Sequence, residues 1–140
     1  MGASTPGSAS PSVHALGVHH VTLIVDDMEK AERFYRDVLG LHVRRDRTVS
    51  SGHERHDDHG TEGVWLDAGH QQIHLAMGSV PPDHGQHFAF LVHDLDAAVE
   101  HLRANDVEVG ERFQVGSAAQ VFFHDPAGNL LELHEAPRYA

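Results

Sequence analysis

The sequence predicts an α+β fold of two paired β-α-β-β-β modules whose mixed sheets form a concave face. Three observations predict it. The block His20-Val-Thr-Leu-Ile-Val-Asp-Asp27 recurs as His87-Phe-Ala-Phe-Leu-Val-His-Asp94. A helical stripe of apolar residues follows each block, and each half closes on two strand-like runs joined by turn-forming residues. Self-similarity of this kind marks a duplicated supersecondary unit.

The elements follow in chain order. Met1 to Ala15 is rich in Gly, Ala, Ser and Pro and lacks the basic start and apolar stretch of a secretory signal. It reads as a disordered tail, residues 1–15, on a cytoplasmic protein. Residues 16–137 then form one domain, with modules at 16–78 and 84–137. In each repeated block a histidine opens an apolar run of strand length, and the Asp seven positions later sits where a helix N-cap belongs. Met28, Ala31, Phe34 or Tyr35, and Val38 recur at helical spacing, with Gly40 placed for a left-handed C-cap. Leu95, Ala98, Val99 and Leu102 make the same stripe in the second half, which Asn105 can terminate.

An extended segment follows each helix, Leu41 to Val49 and Val107 to Val115. The first hairpin pairs Val64-Trp65-Leu66 with Gln72 to Ala76 across Asp67-Ala68-Gly69-His70. The second pairs Val121-Phe122-Phe123 with Leu130 to Leu133 across Asp125-Pro126-Ala127-Gly128-Asn129. A linker near Gly78 to Gly85 contains Pro81-Pro82. Ser50 to Glu62 is polar and reads as a mobile loop, so His53, His56 and His59 within it are expected to be solvated.

Composition narrows the chemistry. The formal charge of −11 argues against nucleic acid and anionic membrane surfaces as partners. No stretch is long enough to span a bilayer. Cysteine is absent, so a metal would have to be held by histidine, carboxylate or amide, and fifteen histidines are available.

Strand alternation assigns faces. With Val21, Leu23 and Val25 under the helix, His20, Thr22 and Ile24 turn to the opposite face. His87, Ala89 and Leu91 do so in the second half. In the last strands Gln72, His74 and Ala76 face away from the core, as do Leu130, Glu132 and His134. Superposing the halves places His20 on His87 and His74 on Glu132. Three imidazoles and one carboxylate on one concave surface suit Zn, Fe, Mn, Co or Ni. Four such ligands leave two octahedral positions for water or a bidentate substrate, whereas a four-ligand tetrahedral zinc would be closed and structural. Trp65 and Phe122 occupy equivalent third-strand positions and are candidate apolar walls. His134, beside Glu132, is a candidate substrate-contacting or acid–base group.

Three segments extend this reading: His19-His20-Val21-Thr22, Phe34-Tyr35-Arg36-Asp37-Val38-Leu39-Gly40-Leu41, and Phe123-His124-Asp125-Pro126-Ala127-Gly128-Asn129-Leu130-Leu131-Glu132-Leu133. They resemble the glyoxalase, bleomycin-resistance and extradiol-dioxygenase superfamily, also called vicinal-oxygen-chelate proteins. The resemblance covers about Gly17 to Ala136. It implies ligands from the first and fourth strands of each module, matched here by His20, His87 and Glu132, which resemble the iron-binding triad of extradiol dioxygenases. His74 falls where glyoxalase I has a glutamate and methylmalonyl-CoA epimerase a glutamine. Glu132 and His74 are thus candidate catalytic residues as well as ligands. Thr22 matches a substrate-contacting threonine of fosfomycin-resistance enzymes, but Phe122 replaces their tyrosine, and Phe113 to Gln120 contains no lysine.

The expectation is one divalent metal ion per site and a small oxygen-chelating substrate, with glyoxalase-like lyase or isomerase chemistry. An Fe(II)-dependent extradiol-type dioxygenase is the alternative enzyme, and an antibiotic- or toxin-binding protein without turnover the alternative outside catalysis. A homodimer is expected, with its site either within one chain or across two.

Overall fold

A computed structural model describes residues 11–45 and 63–137. Most of the expected tail, residues 1–10, and the whole Ser50 to Glu62 loop with His53, His56 and His59 lie outside the described residues. The apolar runs pair into two four-stranded mixed sheets. The first contains β1 (His20–Val25), β2 (His42–Arg44), β3 (Val64–Ala68) and β4 (Gln71–Met77) in the order β1-β4-β3-β2. The second contains β5 (Phe88–Val92), β6 (Phe113–Val115), β7 (Ala118–His124) and β8 (Leu130–Glu135) in the order β5-β8-β7-β6. In each, the first strand runs parallel to the fourth and the other pairs are antiparallel.

The repeat extends to the register. Thr22, His74 and Trp65 lie side by side across the first sheet, and Ala89, Glu132 and Phe122 across the second. Because residues two apart share a face, this register sets His74 and Trp65 where Glu132 and Phe122 stand in the other module.

The helices are α1 (Met28–Arg33) and α2 (Leu95–Ala104). Asp27 caps α1 by accepting from the Lys30 amide at 3.1 Å, and Asp94 caps α2 by accepting from the Ala97 amide at 3.0 Å. The expected continuous helix through Val38 differs in one respect: Phe34–Val38 is a π-helical turn. Its wider winding lets adjacent Phe34 and Tyr35 both be buried, which the regular spacing treated as alternatives. At the end of α2 the left-handed residue is Asp106, with φ of +61°. Asn105 caps the helix instead, its side-chain amide donating to the His101 carbonyl at 2.9 Å. The extended segment Val107 to Val115 pairs as a strand only over β6, with a single bridge from Val109 to Phe123. Between these, Arg112 pairs with Asp96 of α2.

The buried apolar core draws on both modules, with Val25, Leu66, Ile73 and Leu75 from one and Leu95, Phe123, Leu131 and Leu133 from the other. A buried polar latch joins them. The Tyr35 hydroxyl donates to Asp125 Oδ2 at 2.7 Å, and Asp125 Oδ1 accepts from the Ala127 and Asn129 amides, each at 2.9 Å. Asn129 Nδ2 donates to Asp125 Oδ2 at 3.0 Å and reaches back to the Ile24 carbonyl at 2.9 Å. Burial, and then the Asp125 carboxylate, pushes the Tyr35 hydroxyl pKa well above its ordinary value. No helix among the described residues is long and apolar enough to cross a membrane.

Candidate metal centre

On β8, Leu131 and Leu133 pack into the core at 0 % and 4 % exposure. Alternation therefore turns Glu132 and His134 to the concave face, where Glu132 is still buried because imidazoles flank it. His87, just before β5, brings Nε2 to 3.0 Å from Glu132 Oε1. From the other side, His134 Nδ1 lies 2.8 Å from Glu132 Oε2.

The tautomer of His87 follows from its second contact. Nδ1 is 2.7 Å from the Gly85 carbonyl, which can only accept, so Nδ1 carries a proton. In the neutral ring, Nε2 then turns a lone pair towards a carboxylate oxygen. Two acceptors at 3.0 Å are stable only with a positive charge between or upon them, either a ring proton or a cation. An imidazole oriented by a backbone carbonyl and aimed beside a carboxylate is the arrangement of a histidine metal ligand. This half of the donor set therefore fits a divalent ion.

The first module presents a different picture. The His74 ring stacks on Trp65 with centroids 4.2 Å apart and planes at 10°. His20 meets the Trp65 ring edgewise at 4.8 Å, and the His20 and His74 centroids are 6.5 Å apart. His19 Nδ1 lies 2.8 Å from His20 Nδ1, so His20 would coordinate through Nε2. A Cβ built on Gly63 would fall 2.1 Å from His74 Nε2, which shows that this nitrogen rests directly over the Gly63 backbone. Coordination by His74 would use Nδ1 or a rotated ring. The chemistry of the pair suits a metal, but the present orientation of His74 suits it less well than that of His87.

The four predicted ligands thus stand as two pairs, His20 with His74 and His87 with Glu132. Among the described residues, no group of three or more His, Asp or Glu side chains is gathered to hold one ion. Of the predicted substrate-contacting residues, Trp65 lies against His74 and His20, and Phe122 lies edgewise to His87 at 4.9 Å. Thr22 is exposed on β1 and lines, with His87, Asp83 and Gln86, a cleft of about 260 Å³ between the modules. His134 touches Glu132 itself.

Two participants were missed. Gly85 acts through a carbonyl, and in the sequence its glycine signals only a turn in the linker, not the side chain that its carbonyl faces. Gly63 acts by lacking a side chain, and its position beside His74 emerges only once β3 and β4 are paired.

The family model described as Glyoxalase/Bleomycin resistance protein/Dioxygenase superfamily matches residues 17–133. The uncharacterized protein YaeR of Escherichia coli K12 is 33 % identical over 129 residues, covering 84 % of this chain and 95 % of that protein. The mitochondrial methylmalonyl-CoA epimerase of Mus musculus is 30 % identical over 154 residues, covering 95 % of this chain and 83 % of the mouse protein. Among solved structures, a putative glyoxalase family protein from Bacillus anthracis superposes with a TM-score of 0.72 at 24 % identity, covering 91 % of this chain and all of the other.

Proposed function

This chain belongs to the Glyoxalase/Bleomycin resistance protein/Dioxygenase superfamily, and on that footing we propose a divalent-metal-dependent enzyme of lyase or isomerase type acting on a small oxygen-chelating substrate. The observation that supports it most is the His87–Glu132 pair, with the proton at His87 Nδ1 held by Gly85 and Nε2 turned to the carboxylate. A bound ion, whether Fe, Ni, Zn, Co or Mn, would supply Lewis-acid polarisation of the substrate oxygens. His20, His74, His87 and Glu132 are the proposed ligands. Glu132 and His74 would take and return a proton beside a carbonyl. Trp65 and Phe122 wall the substrate, Thr22 contacts it, and His134 lies within reach through Glu132. A mitochondrial methylmalonyl-CoA epimerase among the relatives favours proton transfer.

The enclosed Nε2 of His74 favours a second reading. Without His74 the proposed ligands are His20, His87 and Glu132, and two histidines with one carboxylate suit ferrous iron and oxygen chemistry. Metal analysis after chelator-free purification separates the two. Nickel, cobalt or zinc near one equivalent favours proton transfer, and oxygen-sensitive ferrous iron favours dioxygenation. Metal below about a tenth of an equivalent, as isolated and after reconstitution, would sink both. His87→Ala and Glu132→Gln are expected to abolish retention of the ion.

The pairing of ligands also bears on assembly. Each chain offers two half-sites, so we propose a homodimer in which His20 and His74 of one chain meet His87 and Glu132 of the other. β1 and β5 are sheet-edge strands, and Leu91 on β5 is 69 % exposed, as expected of a surface awaiting a partner.

A further inference from the structure

We infer that the inter-module turn Pro82 to Gln86 is a positioning element for His87, with Asp83 as the residue that determines which ring nitrogen faces Glu132. The inference rests on the reading of His87 as a metal ligand, and it assigns a role to the segment that leads from the linker into the second module.

The turn is tied together by its own side chains and amides. The Gly85 amide donates to Asp83 Oδ1 at 2.8 Å. The Gln86 side chain closes the loop, accepting from the His84 amide at 2.9 Å and donating to the Pro82 carbonyl at 2.8 Å. Asp83 is anchored in turn by His124, at the end of β7, whose Nε2 lies 2.8 Å from Asp83 Oδ2. The Gly85 carbonyl is aimed at His87 Nδ1 at 2.7 Å. Gly85 makes this possible with φ of +95°, a conformation that a side chain would strain.

The chain of contacts therefore runs from His124 through Asp83 and the Gly85 peptide to His87, and ends at Glu132. The bond from His124, and then that from the Gly85 amide, holds the Asp83 carboxyl below the usual carboxylate range. Asp83 thus stays an anionic acceptor that holds the Gly85 amide, while the Gln86 side chain holds the residue that follows. Anchors on both sides of Gly85 hold its φ and ψ, and so the direction of its carbonyl, which requires a proton at Nδ1. Without it, His87 would gain more by moving that proton to Nε2 and donating to Glu132, which removes the lone pair a metal needs. His87 would hold the ion, whereas Asp83 acts through His87.

The test reads the proton directly. Long-range ¹H–¹⁵N spectra of the metal-free, full-length protein at mildly alkaline pH report whether His87 Nδ1 is protonated, and calorimetry with zinc alone reports affinity. Wild type and Asp83→Asn, which keeps an acceptor for the Gly85 amide, are expected to hold the Nδ1 proton. Asp83→Ala is expected to lose it to Nε2 and to bind zinc about tenfold or more weakly. Gly85→Ala, which disturbs the same carbonyl by another route, is expected to behave likewise and serves should Asp83→Ala perturb the fold. Nδ1 protonation unchanged in both variants overturns the inference. A wild type that binds no zinc defeats the metal-site reading instead, and the spectra alone then decide this one.

Discussion

At the scale of single residues, the site owes as much to one missing side chain as to those present. Gly63 leaves the space in which His74 lies, and a methyl group there would also come within 2.9 Å of the Leu75 carbonyl oxygen. Gly63→Ala should therefore push the His74 ring aside and cost about 1–3 kcal/mol, as overpacking does. Urea denaturation measures the cost, and a metal titration shows whether the displaced imidazole binds differently. Unchanged stability and unchanged titration would show that His74 does not rest on Gly63. Sequence alternation was enough to place His20, His74, His87 and Glu132 on one kind of face. It was silent on ring orientation, since torsions about the side-chain bonds depend on neighbours from other strands. That is why His87 and His74, alike as sequence features, differ as prospective ligands.

At the scale of elements, registers, N-caps and hairpins were legible because each follows from a local rule. Asp27 and Asp94 announce helix starts, and the apolar alternation fixes which residues pair. The π-helical turn at Phe34–Val38 was not legible, because it answers a tertiary demand: Tyr35 must reach Asp125, 90 residues away, while Phe34 stays in the core. Tyr35→Phe removes that donor from a buried carboxylate, which keeps its Ala127 and Asn129 partners. A loss of about 1–3 kcal/mol is expected in denaturant unfolding. The same hydroxyl sets an alkaline limit. Its folded pKa is raised, so the folded state binds the proton more tightly, and its contribution is fully present below the unfolded value of about 10 and lost as pH rises beyond it. Stability measured across that range should fall in the wild type and fall less steeply in Tyr35→Phe. Equal slopes would mean that Tyr35 is not the group responsible.

At the scale of the molecule, duplication explains both what the sequence disclosed and what it withheld. A repeat shows that two halves are equivalent, but it carries no record of which half meets which, and so the two ligand pairs could be named before their partners could. Mixing His20→Ala with His87→Ala protein distinguishes the arrangements. With half-sites shared between chains, subunit exchange creates one intact site per mixed dimer, and part of the metal binding and activity returns. No recovery despite demonstrated exchange would place each site within one chain, and a monomer in light scattering would remove the dimer altogether.

The chain contains a single tryptophan, and it is Trp65. Its indole lies 4.2 Å from the His74 ring centroid and 4.8 Å from that of His20, in the opposite half from His87 and Glu132. The protein is thus labelled by its own sequence with one indole fluorophore, placed on only one of the two ligand pairs. Emission should change when zinc is added to the wild type, and the change should vanish in Glu132→Gln if both pairs close on one ion. A change that persists undiminished in Glu132→Gln would mean that the first module binds the ion alone, so a cuvette titration can tell a shared centre from two independent ones.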